Sequence, residues 1–198
     1  MKSCGMTALF YPFSEKAIRA LKAGEAVSIT GRIYTGRDKF HKFFADGGKP
    51  PVDFTDGALY HCGPVVVEVG SKSEEFRVMA AGPTTSVREN PYEPDFIAKS
   101  GVRIIIGKGG MDSKTLAAMK KHGCVYVQAV GGAAALSAAA VKKVAGVSKL
   151  EEFGAAEAVW HFDVENFTGI VAMDAHGNSL FEKTAEQSRA NYDKIIRL

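Results

Sequence analysis

Two rhythms of apolar and polar positions share this chain. Residues 26–35 (AVSITGRIYT) alternate with a period of two, which predicts a strand. Residues 38–44 place Phe40, Phe43 and Phe44 at helical spacing before the breaker GGKPP. Residues 58–61 and 65–69 read as strands split by Gly63-Pro64, and 76–81 as another. The middle changes character. Residues 102–106 (VRIII) form a short β-branched run, which suits a strand buried on both faces. A helix over 112–121 follows, then a second buried strand over 125–130, and then an alanine-rich helix predicted over 133–144. Strand–helix–strand–helix is the signature of a parallel sheet. Residues 158–162 and 169–173 read as two strands joined by 163–168. A turn at 175–178 and a closing helix over 184–198 complete the pattern. The expectation is one α/β domain over residues 1–198, with a parallel sheet, helices, and a more antiparallel second sheet.

Residues 81–90, AGPTTSVREN, crowd three hydroxyls and an arginine behind an apolar strand. Two readings fit. Ser86 and Glu89 stand three apart, as in a capping box that opens a helix. Alternatively, hydroxyls, free N–H groups and the Arg88 guanidinium converge on a carboxylate or phosphate. Three other stretches also put polar groups at the ends of apolar strands, where α/β folds commonly bind ligands. They are TGRD (35–38), GKGGM (107–111) and VGGAAA (130–135). In TGRD, Arg37 faces either solvent or an anion, and Asp38 suits the first turn of a helix. GKGGM lets backbone approach a ligand beside Lys108. It is not a nucleotide-binding P-loop. Lys108 stands where that loop's first Gly belongs, and Ser113 precedes Lys114-Thr115 where Gly is required.

Composition narrows the classes. At 198 residues, 46% hydrophobic and 24% charged, the chain can bury a core without staples. A net charge of +3 is too mild to argue for nucleic acid. No apolar run approaches the roughly 20 residues of a membrane span, and the N-terminus lacks a signal-peptide layout. A cytoplasmic protein is expected. Cys4, Cys62 and Cys124 are widely spaced, form no CxxC pair and show no metal-ligand spacing. They read as structural, with no metal site on this chain. His61 could line a pocket, His161 reads as a strand-face residue, and Trp160 as core. The candidate pocket is thus rich in Arg, Lys and hydroxyls, without a carboxylate pair. That suits a small dicarboxylate or a phosphate.

The ordered segments GRIYTGRDKFHKFF, LYHCGPV, AAGPTTSVREN, FIAKSGVRIIIGKGGM, VYVQAVGGAAALSA and AVWHFDVENFTGIVAMDAHGNSLF resemble the class I fumarate hydratase β subunit. The same family includes the C-terminal domain of single-chain class I fumarases and the L-tartrate dehydratase β subunit. The resemblance covers roughly residues 8–185. It implies a swivelling β/β/α-type domain and half of a hydro-lyase, most simply one that interconverts fumarate and L-malate. It also implies a [4Fe–4S] cluster with one open iron, ligated by a partner α subunit and not by this chain. By resemblance, Arg37, Thr84, Thr85, Arg88 and Lys108 bind substrate, and Thr84 is the catalytic base, working with a partner acid. The hydroxyl run then serves both as a helix start and as half of a dicarboxylate site. L-tartrate dehydration and a non-catalytic dicarboxylate-binding module are the rival readings. A hetero-oligomer is expected, with neither nucleic acid nor membrane as partner.

Overall fold

The computed structural model describes residues 5–69 and 75–196; Cys4 lies outside them. Its principal sheet contains β1 (Thr7–Phe10), β2 (Ala26–Thr35), β3 (Ala58–Tyr60), β6 (Ile104–Gly107), β7 (Val125–Gln128), β8 (Val141–Ser148) and β9 (Val159–Met173). β4 (Val65–Glu68) and β5 (Phe76–Ala80) form a separate antiparallel hairpin. β1, β2, β3, β6 and β7 run parallel in that order. β9 then pairs antiparallel with both β7 and β2. This closes β2-β3-β6-β7-β9 into a barrel-like ring, with β1 and β8 attached outside it. The mixed α/β class expected from the sequence holds.

The run at β6 explains the ring's two cores. Ile104, Ile105 and Ile106 are each fully buried. Side chains alternate across a strand, so Ile104 and Ile106 join one cluster with Val27, Val127, Trp160 and Phe162. Ile105 joins another with Phe40, Phe54, Phe96, Met119 and Tyr126. Each such burial is worth about 1.5–3 kcal/mol. The second cluster lies beneath α2 (Asp38–Ala45), α3 (Glu93–Ser100) and α4 (Ser113–His122). α4 opens on Asp112, whose carboxylate accepts from Thr115 N–H at 2.9 Å, and closes on Gly123 at φ 69°. These ends fix where β6 stops and β7 begins.

The predicted helix over 133–144 is corrected. α5 (Ala134–Ala140) stops at Val141, which starts β8. Val141, Val144 and Val147 are spaced like a helix face, but bulges between 141 and 143 and between 144 and 146 produce that spacing in a strand. The two strands predicted over 158–162 and 169–173 are one 15-residue strand, β9. Its polar middle passes through Asn166 at φ 52°, whose N–H donates to Thr30 Oγ1 at 3.1 Å. The closing helix, α7 (Leu180–Ile196), starts earlier than expected, α3 starts at Glu93 rather than at the helix start read at Ser86, and the elements β1 and α1 (Glu15–Ala20) were not predicted. No helix among the described residues is long and apolar enough to cross a membrane.

Candidate active site

Parallel registers align the carboxyl ends of four strands. Thr35 sits beside Tyr60, Tyr60 beside Ile106, and Gly107 beside Gln128. TGRD leaves β2, HCGP leaves β3, KGG leaves β6 and VGG follows β7, all at one edge of the ring. GPTTSVR arrives from the hairpin and docks onto that edge. Thr84 N–H donates to His61 O at 2.7 Å, Lys108 N–H to Thr84 O at 3.3 Å, and Ser86 N–H to Lys108 O at 3.0 Å. Thr85 and Lys108 form a β-bridge.

The side chains follow. Arg88 Nη2 donates to Thr84 Oγ1 at 3.1 Å and to Asp38 Oδ2 at 2.9 Å. Arg37 Nη2 approaches the same Asp38 oxygen at 3.7 Å and Glu157 Oε1 at 3.4 Å. The structure therefore brings Arg37, Thr84 and Arg88 together around Asp38. Thr85 and Lys108 join them through the backbone. Thr85 and Arg88 are exposed, and Arg37, Thr84 and Lys108 half-buried. The VGG turn completes the rim, since a Cβ at Gly131 would lie 3.6 Å from Lys108 Cδ.

The capping-box reading fails. Ser86–Glu89 is a single 3-10 turn, and Thr85 at its N-cap makes no side-chain cap bond. Ser86 points inward instead, with Oγ 2.9 Å from both His61 Nδ1 and Tyr126 OH. Glu89 is buried too. Behind the exposed cluster therefore lies a buried polar layer. His41 Nδ1 is 2.9 Å from Arg37 O and 3.3 Å from Glu89 Oε2. His41 Nε2 and His61 Nε2 stand 3.0 and 3.1 Å from one oxygen of Glu93. These are ion-pair distances, with the ring N–H bonds off the line of a good hydrogen bond. Both histidines and both glutamates are 0% exposed.

The environments split these groups. Burial opposes charge on His41, but Glu93 and then Glu89 outweigh it and raise its pKa. Burial dominates at His61 and lowers its pKa. Glu93 would rise on burial alone, yet the two histidines hold it below the usual carboxylate range. Glu89 is pushed up by burial to about 7. His41, His61 and Glu93 are also spaced as a divalent ion would need, with ligand atoms within 4.8 Å of one another. Proton positions account for the same contacts without an ion.

Two glycines turn out to be site residues that composition did not reveal. A Cβ on Gly107 would overlap Ser86 Oγ, a short buried group with little room to move. A Cβ on Gly63 would overlap the Arg37 guanidinium and stand 2.7 Å from Ala156 O. Gly107 belongs to GKGG, but its role is to admit Ser86 rather than to approach a ligand.

A family model described as the fumarase C-terminus matches residues 6–184. The chain belongs to the fumarase C-terminal family. A Geobacillus stearothermophilus protein carrying the name "Putative fumarate hydratase class I" is 50% identical over 177 residues. That match covers 89% of this chain but 34% of the relative, so the chain spans about a third of that protein. A Methanocaldococcus jannaschii protein named "Putative L(+)-tartrate dehydratase subunit beta" is 39% identical, with 96% of each chain covered. The L(+)-tartrate dehydratase subunit beta of Escherichia coli K12 is 32% identical, covering 93% of this chain and 91% of its own. The matched family segment contains all five residues singled out from the sequence.

The two described cysteines, Cys62 and Cys124, do not fit an iron–sulfur ligand set. Cys62 and Cys124 are free, fully buried and packed in different cores. Burial pushes both thiols up, away from the thiolate form a cluster needs.

Proposed function

We propose that this chain is the β half of a hydro-lyase that interconverts fumarate and L-malate. One observation carries the reading. Arg37, Thr84 and Arg88 converge at the carboxyl ends of parallel strands, in a chain half identical to a protein named for that activity. Two guanidiniums and the Lys108 ammonium suit a substrate with two carboxylates. Thr84 Oγ1 would exchange the proton at the substrate carbon. A threonine hydroxyl is a weak base, and the guanidinium 3.1 Å away favours its deprotonated form. A carboxylate from a partner would still have to receive the proton.

The remaining chemistry belongs to a partner. The family resemblance implies a [4Fe–4S] cluster on an α subunit, whose open iron would act as the Lewis acid for the departing hydroxide. Cys62 and Cys124 are unsuited to hold it. The site faces outward on this chain, as a half-site completed at an interface would.

The second reading is L-tartrate dehydration. It is favoured by relatives of that name that match nearly end to end. The two readings part on a substrate panel. The chain, assembled anaerobically with its cluster-bearing partner, should show a kcat/KM for fumarate or L-malate well above that for L-tartrate. The reverse order would assign it to tartrate.

A further inference from the structure

Two segments far apart in sequence supply the exposed cluster: Arg37-Asp38 at the start of α2, and Thr84 to Arg88. The buried layer beneath touches both. We propose that His41 is a positioning residue for this site, an imidazolium whose contact with Glu93 ties the Arg37 segment to the Thr84 segment. The activity part of its test rests on the hydro-lyase reading; the geometry does not.

The charge follows from counting acceptors. His41 Nδ1 faces the Arg37 carbonyl at 2.9 Å, and a carbonyl only accepts. Nε2 faces the Glu93 carboxylate at 3.0 Å, which also only accepts when ionised. Nδ1–H donates to the carbonyl, and the negative charge beside Nε2 favours a second proton there although the contact is off the line of a hydrogen bond, so we assign His41 as charged. His61 differs. Its Nε2 faces the same carboxylate, but its Nδ1 faces the Ser86 hydroxyl at 2.9 Å, which can donate. The Ser86 contact is therefore met by a neutral His61 ring, whose Nε2 keeps only an ion-pair distance to Glu93. One carboxylate sits between one charged and one neutral imidazole.

Each ring holds one segment. The Arg37 carbonyl accepts from both His41 N–H, at 3.0 Å, and Nδ1–H. That fixes the peptide from which the Arg37 side chain and Asp38 depart. On the other side, the His61 carbonyl accepts from Thr84 N–H, and its ring meets Ser86. Glu93 on α3 bridges the two rings. Other groups face the layer: Glu89 from the 3-10 turn, Asp38 from α2, Tyr126 from β7, and Cys124 just before it. Phe40 and Phe96 wall His41 at ring-centroid distances of 5.4 and 5.8 Å. In so buried a setting a shift of charge moves its neighbours, because little bulk solvent screens it. His41's pKa is raised above its ordinary 6.5. Its stabilisation is thus complete below about pH 6.5 and lost as pH rises through the raised value.

The experiment is nitrogen-15 NMR of the histidine rings in the whole chain. The expected wild-type result is a His41 still doubly protonated over a range above its ordinary 6.5, where His61 is neutral. Glu93→Gln should remove the His41 charge within that range and shift the amide signals of Arg37, Asp38, Thr84 and Arg88. Signals in the barrel core, such as Val27 and Val164, should stay. With the partner bound, the same variant should lose about tenfold in kcat/KM with cluster content unchanged, and Glu93→Asp should recover part of the loss. If Glu93→Gln does not fold, His41→Gln is read for the same amide shifts. A neutral wild-type His41, unmoved Arg37 and Thr84 signals, or a stoichiometric divalent ion on the purified chain would each overturn the proposal. Ring and amide signals as expected, without activity on fumarate or tartrate, would sink the functional reading and leave the positioning role standing.

Discussion

Two polar layers meet at one edge of the ring, and they obey different rules. In the outer layer, Arg37, Asp38, Thr84 and Arg88 contact one another in partial solvent. Exposed ion pairs contribute little to stability, commonly 0–1 kcal/mol. Such contacts rearrange at small cost when a ligand carboxylate arrives. In the inner layer, His41, His61, Glu89 and Glu93 are fully buried. Losing one partner there strands a charge in a buried space, which costs far more. The outer layer is thus suited to binding and the inner one to holding it in place. Substitutions should sort accordingly: outer changes should alter kinetics, and inner changes should alter stability first.

The largest expected effect is in the inner layer. Glu93→Ala leaves the charge on His41 without its main partner and should destabilise the chain by about 3–5 kcal/mol in urea unfolding. A loss below about 1 kcal/mol would place both layers under one rule. Next comes Thr84→Ala in the outer layer. It should lower kcat of the assembled enzyme about a hundredfold while the melting temperature stays put, and Thr84→Ser should retain more activity. Unfolding without a specific kinetic defect would make Thr84 structural. Arg88→Lys is milder. It keeps the charge but loses the planar fork, so kcat/KM should fall about tenfold, consistent with roughly 1.5–3 kcal/mol for a charged hydrogen bond. Wild-type kinetics would remove Arg88 from the site.

The remaining effect concerns pH. Burial lifts Glu89 from an ordinary 4.5 to about 7, so the folded chain binds that proton more tightly than the unfolded one. Its contribution to stability must fall as pH rises from about 4.5 to 7, then level off. Glu89→Gln cannot ionise and should therefore gain on the wild type across that window in chemical denaturation. A constant difference between the two would show that Glu89 does not titrate there.

The sequence made the outer layer legible and hid the inner one. Arg37, Thr84, Arg88 and Lys108 sit in short polar runs directly after apolar strands, a signal that needs only local reading. The central strand–helix–strand pattern was readable for the same reason: Ile104 to Ile106 has no polar alternative. His41 follows Phe40 on an ordinary amphipathic helix, and Glu93 resembles any first-turn acid before Pro94. Nothing local says that α2, α3 and β3 bury them against one another. Ser86 misled because the spacing to Glu89 matches a capping box, while tertiary contacts with His61 and Tyr126 decided its direction. β8 and β9 were misread because bulges disguise the strand period and a polar stretch can continue a strand when a neighbour such as Thr30 satisfies it.

The central claim is that the outer layer is half of a catalytic site. The most direct measurement is hydration of fumarate by the purified chain, alone and after addition of a cluster-loaded partner under anaerobic conditions. The account predicts no turnover by the chain alone, even with iron and sulfide supplied, and turnover once the partner is added. Hydratase activity from the chain by itself would contradict it.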